Sequence, residues 1–244
     1  MHVLITGAAG MVGRKLTERL IIDRALGDHL IEKLTLIDIV APVRPAGFSD
    51  HVKTRAADLA APGVAEKAVS ERPEVIFHLA GVVSGEAELD FDKGYRVNLE
   101  GTRALLEAIR AVGGYTPKVV FTSSIAVFGA PFPQSIPDDF HLTPLTSYGT
   151  QKAMCELLLG DYSRRGFFDG IGSSFLKMVG AEIDRIPFRH FRRRKRDRVR
   201  GQTHRRLWRE DVGPAREIFL DDVVLRCAGE RRMRRALLVR HGDI

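Results

Sequence analysis

Short apolar runs separated by polar, glycine-containing segments dominate the first half of the chain. Four of these runs, at residues 3–5, 34–37, 75–79 and 119–122, are mainly aliphatic or aromatic, and a weaker one lies at 52–56. Apolar runs of this length are typical of strands in a parallel sheet that is covered on both faces. The pattern therefore predicts at least four buried strands.

Helix-compatible stretches lie between these runs, at residues 14–25, 64–70, 95–112 and 147–163. Strands that alternate with helices predict an open, doubly wound parallel sheet with right-handed crossovers. Ligands of such sheets bind at the carboxyl ends of the strands. We therefore expect an α/β, Rossmann-like fold over residues 1–171, with its ligand site at that edge.

The first apolar run leads directly into a glycine-rich segment, TGAAGMVG, at residues 6–13. A strand, a tight turn and a helix in this order bring backbone N–H groups and a helix N-terminus together on a phosphate. Gly7 would allow the turn, Gly10 the approach of a pyrophosphate, and Gly13 the packing of helix on strand. The spacing differs from the common Gly-x-Gly-x-x-Gly, and a turn that only joins strand to helix is the alternative interpretation.

An acidic residue ends the second apolar run. Asp38 follows Gly13 by 25 residues, close to the roughly 20 residues expected before an acid that binds an adenosine ribose. A carboxylate at this place would repel a 2′-phosphate, so it favours NAD over NADP. A solvated acid at a strand end is the alternative.

Tyr148 and Lys152 lie four residues apart in the last helical stretch, so their side chains share one helix face. A nearby ammonium group lowers the pKa of a phenol and makes tyrosine a usable base near neutral pH. An unremarkable surface pair is the alternative. Ser123 and Ser124 follow the fourth apolar run and are expected at the same edge of the sheet.

Length and composition limit the classes of protein that the chain can represent. Its 244 residues fit one medium domain, or one domain with an appendage. It contains no apolar run long enough for a membrane span and begins with a strand pattern, so we expect a soluble, cytoplasmic protein without a membrane partner. Cys155 and Cys227 are far apart, and neither a disulfide framework nor a metal cluster is expected.

The net charge of +7 is unevenly distributed. Residues 1–172 hold 18 Lys plus Arg against 21 Asp plus Glu, whereas residues 173–244 hold 20 against 10. The basic excess therefore belongs to the last third of the chain. A nucleic-acid partner is not expected for the part that carries the motifs.

The motifs together resemble the extended short-chain dehydrogenase/reductases, the branch that contains NAD-dependent sugar epimerases and dehydratases. They are the glycine turn, Asp38, Asp58-Leu59, His78-Leu79-Ala80-Gly81, Asn98, Ser123-Ser124 with Val127-Phe128-Gly129, and Tyr148-x-x-x-Lys152. The resemblance covers about residues 1–170. Segments 7–13, 80–85 and 147–152 are most similar to those of NAD-dependent dehydrogenases that oxidise a four-carbon sugar acid.

The resemblance implies a role for each motif. Tyr148 would be the general base, Lys152 would hold the nicotinamide ribose and lower the Tyr148 pKa, and Ser124, with Ser123 as its stand-in, would hydrogen-bond the substrate oxygen. The implied cofactor-binding residues are Gly7, Gly10, Met11, Val12 and Gly13 for the pyrophosphate, Asp38 for the adenosine ribose, Asp58 and Leu59 for the adenine, and Ala80, Gly81, Asn98, Tyr148 and Lys152 for the remainder of NAD. The alternative for Asn98 is a helix-breaking polar residue, and His78 is expected to be a core histidine. No metal is required, and Phe128, where many relatives have tyrosine, should be tolerated.

The resemblance implies an oxidoreductase that uses NAD to oxidise a hydroxyl of a small sugar acid. The alternatives are a sugar epimerase or dehydratase that retains NAD and returns the hydride, and a non-catalytic NAD-binding or sensing protein. A small-molecule sugar acid is thus the expected partner. Relatives often form homodimers, and the surfaces of the helices at 95–112 and 147–163 are the candidates for such a contact.

From about residue 172 the resemblance stops. Residues 172–180 still predict a strand and a turn, but the segments 191–200 and 231–235 are dense in arginine. Three interpretations are open: an extension that binds nucleic acid or an acidic membrane, a divergent substrate lobe, indicated by the apolar segment 217–225, and a tail that does not continue the fold. We favour the third, which a reading-frame change in a GC-rich gene would produce. We therefore divide the chain into an NAD-binding domain at 1–171 and a divergent, incomplete or frame-shifted substrate-binding region at 172–244, with a basic tail in place of a full substrate lobe.

Overall fold

Strands and helices alternate in the computed structural model, which describes residues 1–132, 136, 140–175, 188–191, 217–220 and 223–226. The strands are β1 (His2–Thr6), β2 (Ala25–Leu26), β3 (His29–Leu30), β4 (Lys33–Asp38), β5 (Val52–Ala56), β6 (Val75–His78), β7 (Lys118–Ser124), β8 (Asp169–Phe175), β9 (Phe188–Phe191), β10 (Glu217–Leu220) and β11 (Val223–Arg226). The α-helices are α1 (Met11–Asp23), α2 (Val64–Val69), α3 (Ser84–Leu89), α4 (Phe91–Gly94), α5 (Gly101–Ala111) and α6 (Ser147–Arg165). Short 3-10 helices cover Ala46–His51 and Ile125–Val127, and a π-helix covers Tyr95–Glu100.

The main sheet has the strand order β5-β4-β1-β6-β7-β8-β9. The first six strands are parallel, and β9 is antiparallel to β8. The chain winds outward from β1 to β5 on one side and from β6 to β8 on the other, so the switch point lies between β1 and β6. The predicted doubly wound parallel sheet is confirmed, with one antiparallel edge strand in addition.

Two apolar cores lie on opposite faces of this sheet. Because successive side chains of a strand alternate between faces, Leu4 belongs to one core and Val3 and Ile5 belong to the other. The first core is closed by apolar residues of α2, α5 and α6, and the second by Leu16 and Leu20 of α1. The fully apolar runs of the sequence arise because both faces of the central strands are covered.

Three element bounds differ from the prediction. Helix α1 begins at Met11, so Gly13 lies in its first turn, and it ends at Asp23 because Arg24 takes the left-handed conformation at φ 52°. Strand β6 ends at His78, before the Ala80-Gly81 turn. The stretch predicted as one helix over 95–112 begins as a π-helix and becomes α-helical only at Gly101.

The region after residue 171 is described in four short pieces. The predicted boundary at 171/172 falls inside β8, which pairs with β7 along its whole length, and the division of the chain there stays a prediction. Segment 217–225 contributes to an antiparallel hairpin of β10 and β11. The basic runs at 192–200 and 231–235, Cys227 and the predicted turn before residue 180 lie outside the described residues. Within the described ranges, every helix is too short or too polar to cross a membrane.

Candidate active site

The glycine turn after β1 packs closely against the backbone that follows β6. Gly7 has φ +76°, and a Cβ atom placed there would lie 2.5 Å from the backbone nitrogen of Ala80. A Cβ on Gly13 would lie 2.2 Å from the carbonyl oxygen of Gly7. Both contacts are closer than any side chain tolerates, so glycine is required at these two positions for the turn to fold back against helix and strand.

The N-terminus of α1 opens at this turn. Gly10 is its N-cap and provides no side-chain hydrogen bond, and the first turn contains no acidic residue. Met11 is 57% exposed, and Val12 is half-buried. The uncapped N–H groups and the positive end of the helix dipole therefore form a surface suited to an anion. This cradle of close glycines and free N–H groups fits a pyrophosphate.

Asp38 lies at the end of β4, beside the glycine turn. Its Oδ2 accepts a hydrogen bond from the backbone N–H of Ala9 at 2.9 Å, and its Oδ1 accepts one from Val40 at 3.2 Å. The carboxylate is therefore held at the mouth of the crevice by the same turn that presents the helix N-terminus. That position suits an acid that binds a ribose next to a pyrophosphate.

The predicted adenine-binding pair lies one strand further out. Asp58 forms an ion pair with Arg96 and accepts the backbone N–H of Ala60 at 3.0 Å. Partial burial opposes ionisation, but these two hydrogen bonds hold the pKa of the Asp58 carboxyl below its usual range. The Leu59 side chain is buried in the core, so any contact of this residue with a ligand must come from its backbone.

The Ala80-Gly81 turn after β6 meets Asn98 and Lys152. A Cβ atom on Gly81 would lie 2.8 Å from Asn98 Oδ1 and 3.5 Å from Lys152 Nζ. Asn98 Oδ1 accepts the backbone N–H of Val82 at 2.9 Å. The structure therefore brings together three sequence-predicted site residues, with Gly81 giving the other two room to approach.

The two serines at the end of β7 differ in environment. Ser123 is 4% exposed, and its hydroxyl has no hydrogen-bond partner among the described residues. Ser124 is half-buried and caps the following 3-10 turn by accepting the N–H of Ala126 at 3.2 Å. Ser124 also interacts with the side chain of Tyr148. The geometry therefore favours Ser124 over Ser123 as the serine that acts with Tyr148.

Tyr148 and Lys152 lie on the first turns of α6, facing the end of β7. Lys152 is 4% exposed, and its Nζ donates to the carbonyl oxygen of Thr122 at 3.0 Å. The same Nζ lies 5.8 Å from the ring centroid of Tyr148 and 4.9 Å from that of Phe121. The helix start is fixed by Thr146, whose side chain accepts the N–H of Gly149, and by Glu88, which accepts the N–H of Tyr148 at 2.9 Å.

Burial dominates the acidities of this pair. Burial raises the pKa of Tyr148, and the interaction with Ser124 acts in the opposite direction. Burial also disfavours the charged form of Lys152, and it therefore lowers the pKa of this residue. The sequence-based expectation that Lys152 lowers the pKa of Tyr148 stays a prediction; in this structure the Lys152 Nζ donates to the Thr122 carbonyl oxygen.

His78 belongs to the core beneath the site. It is 1% exposed and stacks on Phe121 at a centroid distance of 5.8 Å. Burial, together with the nearby charge of Lys152, lowers its pKa to about 3. The imidazole is therefore neutral at physiological pH and does not reach the open crevice.

Three polar residues at the site were not among those predicted from the sequence. Gln151 is completely buried and accepts a hydrogen bond from Asn98 Nδ2 at 2.8 Å. Thr102 and Cys155 both donate to the carbonyl oxygen of Asn98. The usable signal was the spacing of Asn98 and Thr102, since four residues on a helix place two polar groups on one buried face.

The parallel sheet, the glycine turn at its switch point and the polar residues at its carboxyl edge define a Rossmann-like protein. The sequence matches the NAD dependent epimerase/dehydratase family over residues 3–220. The chain belongs to this family.

Two curated relatives are D-erythronate dehydrogenases. The enzyme from Cupriavidus necator is 50% identical over 176 residues, which cover 70% of this chain and 53% of the relative. The enzyme from Haemophilus influenzae is 43% identical over 173 residues, again 70% of this chain and 53% of the relative. The chain therefore matches about half the length of these relatives.

Two solved structures extend the comparison. A nucleoside-diphosphate-sugar epimerase from Agrobacterium tumefaciens is 67% identical with a TM-score of 0.70, and the match covers 75% of this chain and 55% of that chain. A variant of uronate dehydrogenase from the same organism, complexed with NAD, is 30% identical with a TM-score of 0.58, covering 69% and 58%. These neighbours share the parallel-sheet fold.

Proposed function

We propose that the protein is an NAD-dependent dehydrogenase that oxidises a hydroxyl of a small sugar acid, with D-erythronate and its 2-oxo acid as the best substrate and product. The observation that carries this proposal is the convergence of Tyr148, Lys152 and Ser124 beside the glycine turn. The identity to two D-erythronate dehydrogenases supports the choice of substrate.

The described residues fit the cofactor. The close-packed glycines and the uncapped start of α1 would hold the pyrophosphate, Asp38 the adenosine ribose, and Lys152 the nicotinamide ribose. A carboxylate at Asp38 favours NAD over NADP, because a 2′-phosphate would meet like charge. NAD, when bound, supplies the acceptor for a hydride.

The residues of the chain would handle the proton. Tyr148 would take the proton of the substrate hydroxyl as the carbon-bound hydrogen leaves as hydride, so that the alcohol becomes a carbonyl. Ser124 would donate a hydrogen bond to the oxygen on which charge develops. Lys152, whose Nζ lies 5.8 Å from the centroid of the Tyr148 ring, would stabilise the phenolate and hold the nicotinamide ribose.

A screen of three- to six-carbon sugar acids for NAD reduction by the purified chain tests the proposal. We expect free NADH to accumulate with D-erythronate, measured by its absorbance. The absence of NADH with every acid, while NAD still binds, would overturn the dehydrogenase assignment and favour a non-catalytic NAD-binding protein.

A sugar epimerase or dehydratase that retains NAD is the second candidate. It is favoured by the 67% identity to the epimerase structure from Agrobacterium tumefaciens. The same Tyr148 and Lys152 would serve both reactions, but an epimerase returns the hydride to its substrate. Conversion of a nucleotide sugar without release of NADH would establish this alternative.

We further propose that the protein is cytoplasmic, since the reaction depends on a shared pool of NAD. We also propose that it forms a homodimer. The predicted contact uses the surfaces of α5 and α6, and the apolar side chain of Leu157 on α6 is 66% exposed. Light scattering of the purified chain, compared with the Leu157→Glu variant, tests the contact. A wild-type protein that stays monomeric would refute it.

A further inference from the structure

A chain of hydrogen bonds between buried side chains runs beneath the site. Thr6 Oγ1, at the end of β1, lies 2.7 Å from His78 Nδ1. His78 Nε2 lies 2.8 Å from Thr102 Oγ1, and Thr102 Oγ1 donates to the carbonyl oxygen of Asn98 at 2.6 Å. All four side chains are at most 2% exposed, so none of them can exchange its partner for bulk water.

The last acceptor fixes the direction of two of the three bonds in this chain. The Asn98 carbonyl can only accept, so the hydroxyl proton of Thr102 is committed to it. Thr102 must then accept the proton of His78 Nε2. Burial keeps the imidazole neutral, so Nδ1 carries no proton and accepts from the hydroxyl of Thr6. The imidazole is therefore in the Nε2–H form.

The Asn98 end of this hydrogen-bonded chain contacts both the turn after Gly81 and helix α6. The Asn98 side chain accepts from Val82, in the turn after Gly81, and donates to Gln151 of α6. Asn98 lies in the π-helix, where the N–H of Gly101 bonds to the carbonyl of Arg96, five residues earlier. Single π-turns inside helices are frequent at functional sites, and this one places the Asn98 side chain between the turn and α6.

We propose that His78 is a positioning residue: its neutral imidazole ties the strand that enters the glycine turn to Asn98, and through Asn98 sets the Gly81 turn against the helix that carries Tyr148 and Lys152. This assigns a role to a histidine that is 1% exposed. The part that concerns turnover rests on the proposed dehydrogenase function, whereas the part that concerns cofactor affinity and the state of the imidazole does not.

Three variants test the linkage. His78→Phe keeps an aromatic ring and removes both hydrogen bonds, Thr102→Val keeps the shape of the side chain and removes the central hydroxyl, and the third variant combines them. We expect each single change to weaken NAD binding and lower turnover by about tenfold, the scale of one buried hydrogen bond. Because both changes break one chain, the double variant should lose little more than either single one.

Phe77→Leu is the matched control. Phe77 is the neighbour of His78 on β6, but its side chain packs in the core on the opposite face of the sheet. The control should lower the melting temperature while NAD affinity and turnover of the folded protein stay unchanged. If His78→Phe and Thr102→Val behave like Phe77→Leu, or if their effects on NAD affinity simply multiply, the positioning role is refuted.

Partial rescue separates the two ends of the chain. His78→Gln can still donate towards Thr102, whereas His78→Asn can still accept from Thr6. Since the Thr102 and Asn98 end sets the turn, we expect His78→Gln to recover more NAD affinity than His78→Asn. Equal loss in both variants would contradict the proposed direction of linkage.

Nitrogen-15 NMR of the histidine rings gives a readout without any activity. We expect the His78 resonance, assigned by its loss in His78→Phe, to show the neutral Nε2–H form at pH 7 and to change in Thr102→Val. A charged ring or the Nδ1–H form in the wild type would overturn the assignment. If the NMR result holds and NAD does not bind, the network stands and the proposed function fails.

Discussion

Tyr148 is the residue whose loss would separate cofactor binding from chemistry most cleanly. Its phenol faces Ser124 and Lys152, and its replacement by phenylalanine removes the hydroxyl while keeping the ring. We expect Tyr148→Phe to lower turnover about 10²- to 10⁴-fold, the usual contribution of a general base, and to leave NAD affinity within about threefold. Calorimetric titration and NADH absorbance measure the two quantities, and wild-type turnover would exclude Tyr148 as the base.

The pH dependence of the reaction follows from the environment of the same phenol. Burial raises the pKa of Tyr148 and the Ser124 interaction lowers it. In the proposed mechanism Tyr148 acts as the base in its deprotonated form, so a raised pKa would leave less phenolate at neutrality. The rate should therefore increase with pH across the alkaline range.

Ser124→Ala should move this profile to still higher pH, because it removes the interaction that favours the phenolate. The control is Ser123→Ala, since the Ser123 hydroxyl has no partner among the described residues and its removal costs little. The measurement is kcat/KM against pH for both variants. A profile of Ser124→Ala that moves to lower pH would contradict the assignment.

At the scale of elements, the glycine turn tolerates no side chain at two of its positions, Gly7 and Gly13. An alanine at Gly7 would take a left-handed conformation and place its Cβ 2.5 Å from the Ala80 nitrogen. We expect Gly7→Ala to lower the free energy of unfolding by about 2–4 kcal/mol and to weaken NAD binding. Gly85→Ala is the control, because a Cβ there meets nothing within 4 Å. Chemical denaturation and NAD titration report both effects, and equal stability of the two variants would refute the account.

The elements also show what the sequence can and cannot predict. Strands β1, β4, β6 and β7 were predictable because burial on both faces forces continuous apolar runs. The π-helix was not, since apolar spacing along a helix does not reveal whether a carbonyl bonds four or five residues ahead. The short pairing of β2 with β3 was missed because two-residue strands carry no periodicity.

The candidate site divides in the same way. Motif positions such as Asp38 and Lys152 were visible in the sequence as single residues at strand and helix ends. The hydrogen-bonded chain from Thr6 through His78 and Thr102 to Asn98 was not, because its members come from β1, β6, α5 and the π-helix. Contacts between elements that are far apart in sequence depend on the order of the strands in the sheet. That order results from packing and cannot be read from local sequence patterns.

At the scale of the whole molecule, the two parts of the chain differ in character. Every residue predicted to contact the cofactor lies within residues 1–171, whereas residues 173–244 carry 20 basic against 10 acidic residues. If a reading-frame change produced this difference, sequencing of the gene across the codons for residues 170–174 should show an inserted or deleted base relative to relatives. An intact frame shared with close relatives would refute that interpretation and favour a divergent substrate lobe.

Taken together with the proposed function, the same division predicts how well the protein would act as a catalyst. Under the proposed function, NAD binding would depend on the glycine turn, Asp38 and Lys152, all of which lie among the described residues before position 171. Substrate selection would require a wall that we place after residue 171, the boundary predicted from the sequence. We therefore expect an NAD dissociation constant within about tenfold of that of a curated relative, and a kcat/KM for D-erythronate lower by at least about a hundredfold. Both constants should be measured beside the Cupriavidus necator enzyme, and equal kcat/KM values would show that the basic region completes a working substrate site.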